Sequence, residues 1–287
     1  MNPNWPSKIL CPVDFSQPSA VALRFAASMA ASTHAGLTVM HAHFWEAPPY
    51  FTQSQLADLD EQVKRSIHEA DRFLGEFIAR ENPGCDAARV IVDAAPIDGI
   101  LKTARETGTD LLVMGTHGRS GFNRFLLGSV TERILREFPM PIVTVRSGLG
   151  TFVEPQPIKR ILCPVNDSSA AKNSLQIAVR LASSINAELT VLHVVEGLGS
   201  GQAPEICSWL SESERQGCRI QEIVDLGDAA TRILDAGSKL SADLLVMGAQ
   251  HRPFADSTVI GTTTVRVVRH SPIPVLTIAN PPRPDSD

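Results

Sequence analysis

The feature that most constrains the fold of this chain is an internal duplication. Residues 9–43 align with residues 161–195 at a constant offset of 152, with 15 identities in 35 positions. Further on, the segment Asp-Leu-Leu-Val-Met-Gly at 110–115 recurs unchanged at 243–248, at an offset of 133. A chain of 287 residues has room for two domains, each with its own core. The sequence therefore predicts two copies of one fold in tandem.

The two copies differ in the length of one segment. The offset falls by 19 between the two aligned blocks, so the first half carries 19 additional residues between His43 and about Val92. Apolar residues recur at helical spacing over 56–78, whereas the matching stretch of the second half has a short apolar set at Ile206, Trp209 and Leu210. We therefore expect the second helix to be longer in the first half.

Each half alternates short apolar strands with helical segments. In the first half the strands are predicted at 8–13, 37–42, 88–92, 111–114 and 142–145. Strands that alternate with helices form parallel sheets whose two faces are covered by right-handed crossovers. The predicted fold is α/β, with two tandem open parallel five-stranded sheets and helices on both faces.

Composition places the domain boundaries. The stretch from 147 to 157 is rich in Gly and Pro and has no hydrophobic period, which is typical of a linker. We assign residues 1–147 to the first domain, 148–158 to the linker and 159–280 to the second domain. The polar, Pro-rich residues 281–287 are predicted to be a disordered tail.

Charge and hydropathy argue against several classes of function. The formal charge is −5 and no long Lys/Arg run is present, so we expect no nucleic-acid partner. The apolar stretches are too short for a membrane-spanning helix. Residues 1–7 are too short and too polar for a signal peptide, which predicts a cytoplasmic location.

Metal binding and disulfides are not predicted either. The five cysteines include no C-x-x-C pair, so neither a disulfide framework nor a zinc site is indicated. His41 and His43 alternate along a strand end, but no acidic or Cys partner is marked out nearby. His41 recurs as His193, and a shared packing or hydrogen-bond role is the favoured interpretation.

The chemistry is expected in the loop after the fourth strand. Gly115 and Gly118 follow this strand, and nine residues later Gly128 and Ser129 precede a helical stretch. Glycines let a phosphate approach the main chain, and free amides at a helix start face an anion. Arg119 and Arg124 in the same loop would add compensating charge. The spacing therefore predicts a phosphate site.

The spacing Gly-x2-Gly-x9-Gly-Ser, with Val13-Asp14 at the end of the first strand, resembles the ATP-binding subgroup of the universal stress protein family. The resemblance covers both halves and implies a Rossmann-like fold of the adenine nucleotide α-hydrolase type with bound ATP, the presence of Mg being left open. It implies that adenosine is held by Pro12, Val13, Asp14 and Ala42. It further implies that the ribose and phosphates are lined by Met114, Gly115, Gly118, Arg119, Gly128, Ser129 and Val130, with His117 in phosphate contact or solvated.

The same resemblance bears on assembly. In this family, domains commonly pair through the last strand, so 142–145 and 275–278 are expected to meet edge to edge within one chain. Such pairing removes two exposed sheet edges. A further symmetric homodimer of the whole chain stays open.

Local capping offers an alternative reading of three polar residues. Ser129 and Glu132 form the Ser-x-x-Glu pattern of a capping box, so Ser129 is expected to start its helix whether or not it contacts a ligand. Asp14 and Ser16 precede the first helix, and either is a candidate N-cap.

The second half departs from the ATP-binding pattern at two positions. Asn166 replaces Asp14 and His251 replaces Gly118, although Gly248, Gly261 and Thr262 remain. An imidazole occupies space that a phosphate would need, and Asn lacks the two acceptors of a carboxylate. We predict weak or absent ATP binding there. The alternative is that His251 and Arg252 recognise a different anion.

No catalytic residues are predicted, because the motif region supplies neither a nucleophile with an adjacent base nor a second carboxylate. The favoured function is ATP binding in a stress response, with nucleotide sensing or signalling. Two alternatives stay open: a slow ATP-hydrolysing or adenylate-transferring enzyme, and a scaffold with a vestigial nucleotide site.

Overall fold

The computed structural model describes residues 5–44, 53–82, 84, 86–117, 127–138, 140–146, 157–196, 206–249, 251–254 and 257–279. Within these ranges the side chains of 53–60, 206–207 and 251–260 are not described. Most of the predicted linker and the whole predicted tail lie outside the described residues, so the domain boundaries stay predictions.

The first half follows the predicted order of elements. It comprises β1 (Lys8–Pro12), α1 (Gln17–Thr33), β2 (Gly36–Ala42), α2 (Gln53–Glu81), β3 (Ala87–Val92), α3 (Pro96–Thr107), β4 (Leu111–Gly115), α4 (Ser129–Glu137) and β5 (Ile142–Val145). Each predicted strand agrees with the observed one to within one residue at either end.

The second half repeats this order with two changes. It comprises β6 (Arg160–Val165), α5 (Ser169–Ile185), β7 (Glu188–Val195), a 3₁₀ helix (Ile206–Trp209), α6 (Glu212–Gly217), β8 (Arg219–Leu226), α7 (Ala229–Lys239), β9 (Leu244–Ala249), β10 (His251–Phe254), β11 (Ser257–Ile260), α8 (Thr262–His270) and β12 (Val275–Ala279). The expected difference in the second helix is confirmed, because α2 has 29 residues and α6 has six. The antiparallel β10–β11 hairpin was not predicted.

The two halves share one sheet of ten strands. Its order is β3-β2-β1-β4-β5-β12-β9-β6-β7-β8. Neighbouring strands within each half are parallel, whereas β5 and β12 are antiparallel. The expected pairing of the two last strands is therefore present, and it fuses the two predicted sheets into one.

Threonine side chains reinforce the junction between the halves. Val143 lies opposite Leu276 in the β5–β12 register. Thr144 Oγ1 donates to the carbonyl of Val275 at 3.3 Å, and Thr277 Oγ1 donates to the carbonyl of Ile142 at 3.1 Å. These threonines are buried, so both hydroxyls find their acceptors across the strand pair rather than in water.

The hydrophobic core has two layers, one on each face of the sheet. One layer joins α1, α5 and part of α2 to the sheet, and the other joins α3, α4, α7 and α8. Buried alanines dominate α1, which therefore lies close to the strands beneath it. None of the helices among the described residues combines the length and the apolarity that crossing a bilayer requires.

The aspartate that opens the repeated six-residue segment anchors the first strand of each half. The Asp110 carboxylate accepts the backbone N–H groups of Ser7 and Lys8 at 2.9 and 3.0 Å, and also the Ser7 hydroxyl. Asp243 Oδ2 accepts those of Lys159 and Arg160, both at 2.9 Å. The same contact thus fixes the strand register at the amino end of each half.

Candidate functional site

The carboxyl ends of β1, β2 and β4 lie side by side in the first half, because β1 lies between the other two strands. The N–H of Val13 donates to the carbonyl of Met40 at 2.8 Å, and His41 Nδ1 lies 2.8 Å from the carbonyl oxygen of Val13. His193 Nδ1 makes the equivalent contact with Val165 at 3.1 Å. The shared hydrogen-bond role predicted for His41 and His193 is confirmed.

A compact turn follows β1. Asp14 Oδ1 accepts both the backbone N–H and the hydroxyl of Ser16. Ser16 is the N-cap of α1, and its hydroxyl accepts the N–H of Ser19. Of the two candidate caps, Ser16 takes the role. Asp14 supports the cap from two residues upstream and remains at the strand end where ligands bind in open α/β sheets.

An aromatic cluster beside this turn escaped the sequence analysis. Phe15 has a φ of 63°, which is unusual for a bulky residue. Its ring centroid lies 4.4 Å from that of His41, 4.7 Å from that of Phe73 and 5.4 Å from that of Phe77. The long helix α2 therefore braces the turn that carries Asp14. The helical spacing of Phe73 and Phe77 was visible in the sequence, but their target was not.

The start of α4 has a different cap from the one predicted. Gly128 is the N-cap, with no side-chain cap hydrogen bond, and its N–H donates to the carbonyl of Thr116 at 2.9 Å. Ser129 is the first helical residue, and the Glu132 carboxylate pairs with Arg136 at 2.7 Å. The capping-box interpretation of Ser129 is therefore wrong. The first amides of α4 have no side-chain cap among the described residues.

Gly115 allows α1 to pack closely against β4, in addition to its place in the loop that follows β4. It is buried, and a Cβ at this position would lie 3.1 Å from atoms of Pro18 in α1. In the second half a Cβ at Gly248 would lie 2.5 Å from the backbone of Ala170. Both glycines thus permit the first helix to approach the fourth strand. This role needs no phosphate, so Gly115 is weaker evidence for a ligand than its place in the motif suggested.

The remaining described site residues lie at or near the ends of β1, β2 and β4 and at the start of α4. Pro12 and Ala42 end β1 and β2, Met114 is buried near the end of β4, and Val130 lies in the first turn of α4. His117 follows β4, and its Nδ1 lies 2.9 Å from Thr116 Oγ1. Gly118, Arg119 and Arg124 lie outside the described residues. The described members all belong to the carboxyl edge of the first half.

The repeat provides an independent view of this residue set. A cleft of about 430 Å³ opens at the same edge of the second half. Nine of its lining residues are the repeat equivalents of predicted site residues, namely Pro164, Val165, Asn166, Val194, Met247, Gly248, Gly261, Thr262 and Thr263. The three remaining equivalents are Gln250, His251 and Arg252. Positions chosen from the first half therefore converge on one cavity in its copy.

The cleft of the second half has its own polar groups. Asn166 Oδ1 accepts the N–H of Ser168 at 3.2 Å and the Ser168 hydroxyl at 2.6 Å, in the same turn that Asp14 forms in the first half. Glu196 Oε1 accepts the N–H of Ala229 at the start of α7, at 2.8 Å. Glu196 was not predicted as a site residue. Extending the 152-residue offset would have aligned it with Phe44 and shown a carboxylate that the first half lacks at this position.

The loop before α8 adopts the unpredicted hairpin. His251 pairs with Ile260 as the first residue of β10, so its backbone is extended. Strand β11 contacts α4 of the first half. The side chains of His251 and Arg252 are not described, so their proposed recognition of another anion stays a prediction.

Two cysteines, Cys11 and Cys163, are buried in positions that make them unreactive. Cys11 and Cys163 are buried at equivalent strand positions, and neither forms a disulfide. Burial raises the pKa of the Cys163 thiol to about 12, and the Ser174 hydroxyl offsets part of this rise. A thiol with such a pKa is protonated at neutral pH and is a poor nucleophile. Among the described residues, no group of three or more His, Cys, Asp or Glu side chains is placed to hold a metal.

Comparison with known proteins identifies the family. The sequence model of the universal stress protein family matches residues 6–146 and matches again over residues 157–279. The chain belongs to the universal stress protein family. The double match accounts for the internal duplication.

Relatives extend over different shares of the chain. A universal stress protein of Mycolicibacterium smegmatis is 24% identical over an alignment of 301 positions, which covers 94% of this chain and 96% of that protein. Universal stress protein Slr1230 of Synechocystis is 31% identical over 173 residues, which cover 58% of this chain and 57% of that protein. The crystal structure of a universal stress protein from Archaeoglobus fulgidus covers 96% of this chain and 97% of its own, with a TM-score of 0.67 and 19% identity. This structural likeness shows the same fold.

Proposed function

We propose that this universal stress protein binds ATP at the carboxyl edge of its first half and acts as a nucleotide sensor or signalling protein in a cytoplasmic stress response. One observation carries the proposal. Helix α4 begins at a glycine N-cap that the carbonyl of Thr116 holds in place, and no described side chain caps its first amides. Uncapped amides and the helix dipole favour a bound anion.

Two further observations support an adenine nucleotide at this place. The turn with Asp14 lies at the end of β1, beside the ends of β2 and β4. The repeat equivalents of most proposed site residues line one cleft of a volume typical of small-ligand sites. In the proposal adenosine contacts Pro12, Val13, Asp14 and Ala42. The ribose and phosphates contact Met114, Gly115, His117, Gly118, Arg119, Gly128, Ser129 and Val130, and the presence of Mg with the phosphates stays open.

One contact favours a slow ATP-splitting or adenylate-transferring activity as a second candidate. Ser66 Oγ of α2 lies 2.7 Å from His43 Nε2, just beyond the end of β2. His43 Nδ1 is buried without a hydrogen-bond partner among the described residues, so none of them orients the imidazole as the third group does in efficient serine nucleophile systems. This pair therefore suits slow chemistry at most. Slow, protein-dependent release of pyrophosphate or AMP from ATP would favour this candidate over simple binding.

The decisive experiment compares matched glycine variants. The purified protein is denatured, released adenine nucleotide is quantified by chromatography, and Mg-ATP is titrated calorimetrically into nucleotide-free protein. We expect about one ATP per chain. Gly128→Val should abolish binding, because the β-branched side chain obstructs the α4 N-terminus, with an unchanged circular dichroism spectrum.

Gly261→Val is the matched control, since it places the same side chain at the equivalent N-cap of α8. It should leave ATP binding intact. ATP binding that survives Gly128→Val would show that the phosphate site is misplaced. Absence of ATP binding by the unaltered protein would favour the scaffold alternative.

A further inference from the structure

We propose that the cleft of the second half is a separate binding site for an uncharged nucleoside, and that it discriminates against nucleoside polyphosphates. The inference concerns residues of the second half and stands whether or not the first half binds ATP.

The charge of the described lining residues opposes a polyphosphate. Glu196 is the only charged residue among those described as lining it. Its carboxylate already occupies the start of α7 by accepting the N–H of Ala229. The N-terminus of α8 offers an incoming anion roughly half a positive charge, against the full negative charge of Glu196. Among the described lining residues, electrostatics therefore favour a neutral ligand.

A nearby arginine is already committed to another carboxylate. Arg266 of α8 donates to both oxygens of Asp228 at 2.7 and 2.9 Å, and this pairing holds the pKa of Asp228 well below its usual range. Asp228 also caps α7 through the N–H of Thr231. The first half has Phe44, Ala95 and Arg133 at the positions equivalent to Glu196, Asp228 and Arg266. The two carboxylates are therefore specific to the second half.

Asn166 reverses the hydrogen-bonding character of the turn. A backbone N–H can only donate, so the contact with Ser168 identifies the accepting atom of Asn166 as Oδ1. The amide NH₂ is then the group that Asn166 offers to a ligand. In the first half the equivalent group is the second carboxylate oxygen of Asp14, which accepts. A ligand of the second cleft therefore presents an acceptor to Asn166.

The walls define the rest of the ligand. Apolar residues Leu192, Val194, Ile233 and Met247 line the cleft, and its volume of about 430 Å³ suits one ring system with a sugar. Glu196 accepts hydrogen bonds from vicinal hydroxyls, and Asn166 donates to a ring carbonyl or a sugar oxygen. An uncharged nucleoside with these groups meets each requirement, with an apolar ring face against the walls.

The test titrates adenosine, inosine and ATP separately into the full-length Gly128→Val variant, whose first site is obstructed. Both nucleosides should bind with at least tenfold higher affinity than ATP. Glu196→Gln should raise the affinity for ATP about threefold, because a repulsive charge is removed from a partly solvated site. It should lower nucleoside affinity, because the group left for the sugar hydroxyls becomes an amide donor. This exposed substitution leaves the core intact, so it tests the charge argument independently of folding.

A steric variant provides the second measurement. Val194→Phe should fill the cleft and abolish nucleoside binding, whereas Val224→Phe is a matched control on neighbouring β8, where Val224 is 57% exposed and lies outside the cleft lining. Nucleoside binding that survives Val194→Phe, or ATP binding to Gly128→Val as tight as nucleoside binding, would overturn the inference. Nucleoside binding without ATP binding by the unaltered protein would refute the proposed function and leave this inference standing.

Discussion

At the scale of single residues, Phe15 combines an unfavourable backbone with favourable packing. A non-glycine residue in the left-handed region costs about 1–2 kcal/mol. At Phe15 the contacts of the ring with His41, Phe73 and Phe77 offset this cost. The strain sits next to Asp14, at the proposed adenosine contact, where strained backbone is often found in binding sites.

A pair of substitutions separates the strain from the packing. Phe15→Ala and Phe15→Gly both remove the ring, but only glycine relieves the positive φ. Phe15→Gly should therefore be more stable than Phe15→Ala by about 1 kcal/mol in urea unfolding. Asp167 is the matched control, because it is the repeat equivalent and has no positive φ. At Asp167 the alanine variant should be at least as stable as the glycine variant. A glycine variant that is the more stable one at both positions would contradict the strain at Phe15.

At the scale of elements, the repeated segments show which features local sequence determines. The strand positions and the long α2 follow from hydrophobic periodicity, and each was predictable. The role of Gly115 was not, because it depends on how closely α1 approaches β4. The cap of α4 was misassigned, since Gly128 hydrogen-bonds to Thr116 twelve residues earlier and thereby shifts the helix start. The β10–β11 hairpin was not predictable, because its four-residue strands are too short to show a hydrophobic period in the sequence.

The aspartates that immediately precede β4 and β9 allow a prediction at the scale of elements. Asp110→Ala and Asp243→Ala each leave strand-start N–H groups without their acceptor. Each should lower the free energy of unfolding, by about 1–3 kcal/mol. Asp110→Ala should be the more costly, because Asp110 also accepts the Ser7 hydroxyl. Chemical denaturation checks this order, and equal costs would mean that the Ser7 hydroxyl contributes no more than the ion pair of Asp243 with Arg160.

At the scale of the whole molecule, β5 and β12 protect each other. Each would be an exposed edge in a separate domain, with an unpaired row of N–H and C=O groups. The repeat makes the two edges closely similar, so a first half on its own can pair with a second copy of itself.

This similarity yields a prediction for residues 1–147 expressed alone. The fragment should form a dimer through antiparallel β5–β5 pairing, because burying that edge replaces the lost β12 contacts. Light scattering coupled to size-exclusion chromatography measures the mass. A folded, strictly monomeric fragment would show that the seam depends on contacts peculiar to β12, such as that of Thr277 with Ile142.

The antiparallel seam also determines the direction in which each half faces. Within the ten-stranded sheet, the strands of one half run opposite to those of the other, so their carboxyl ends lie at opposite margins. The two proposed sites therefore face opposite margins of the sheet. If both proposed sites bind ligands, one polypeptide has two binding sites that open in opposite directions, and a partner protein that covers one leaves the other accessible to solvent.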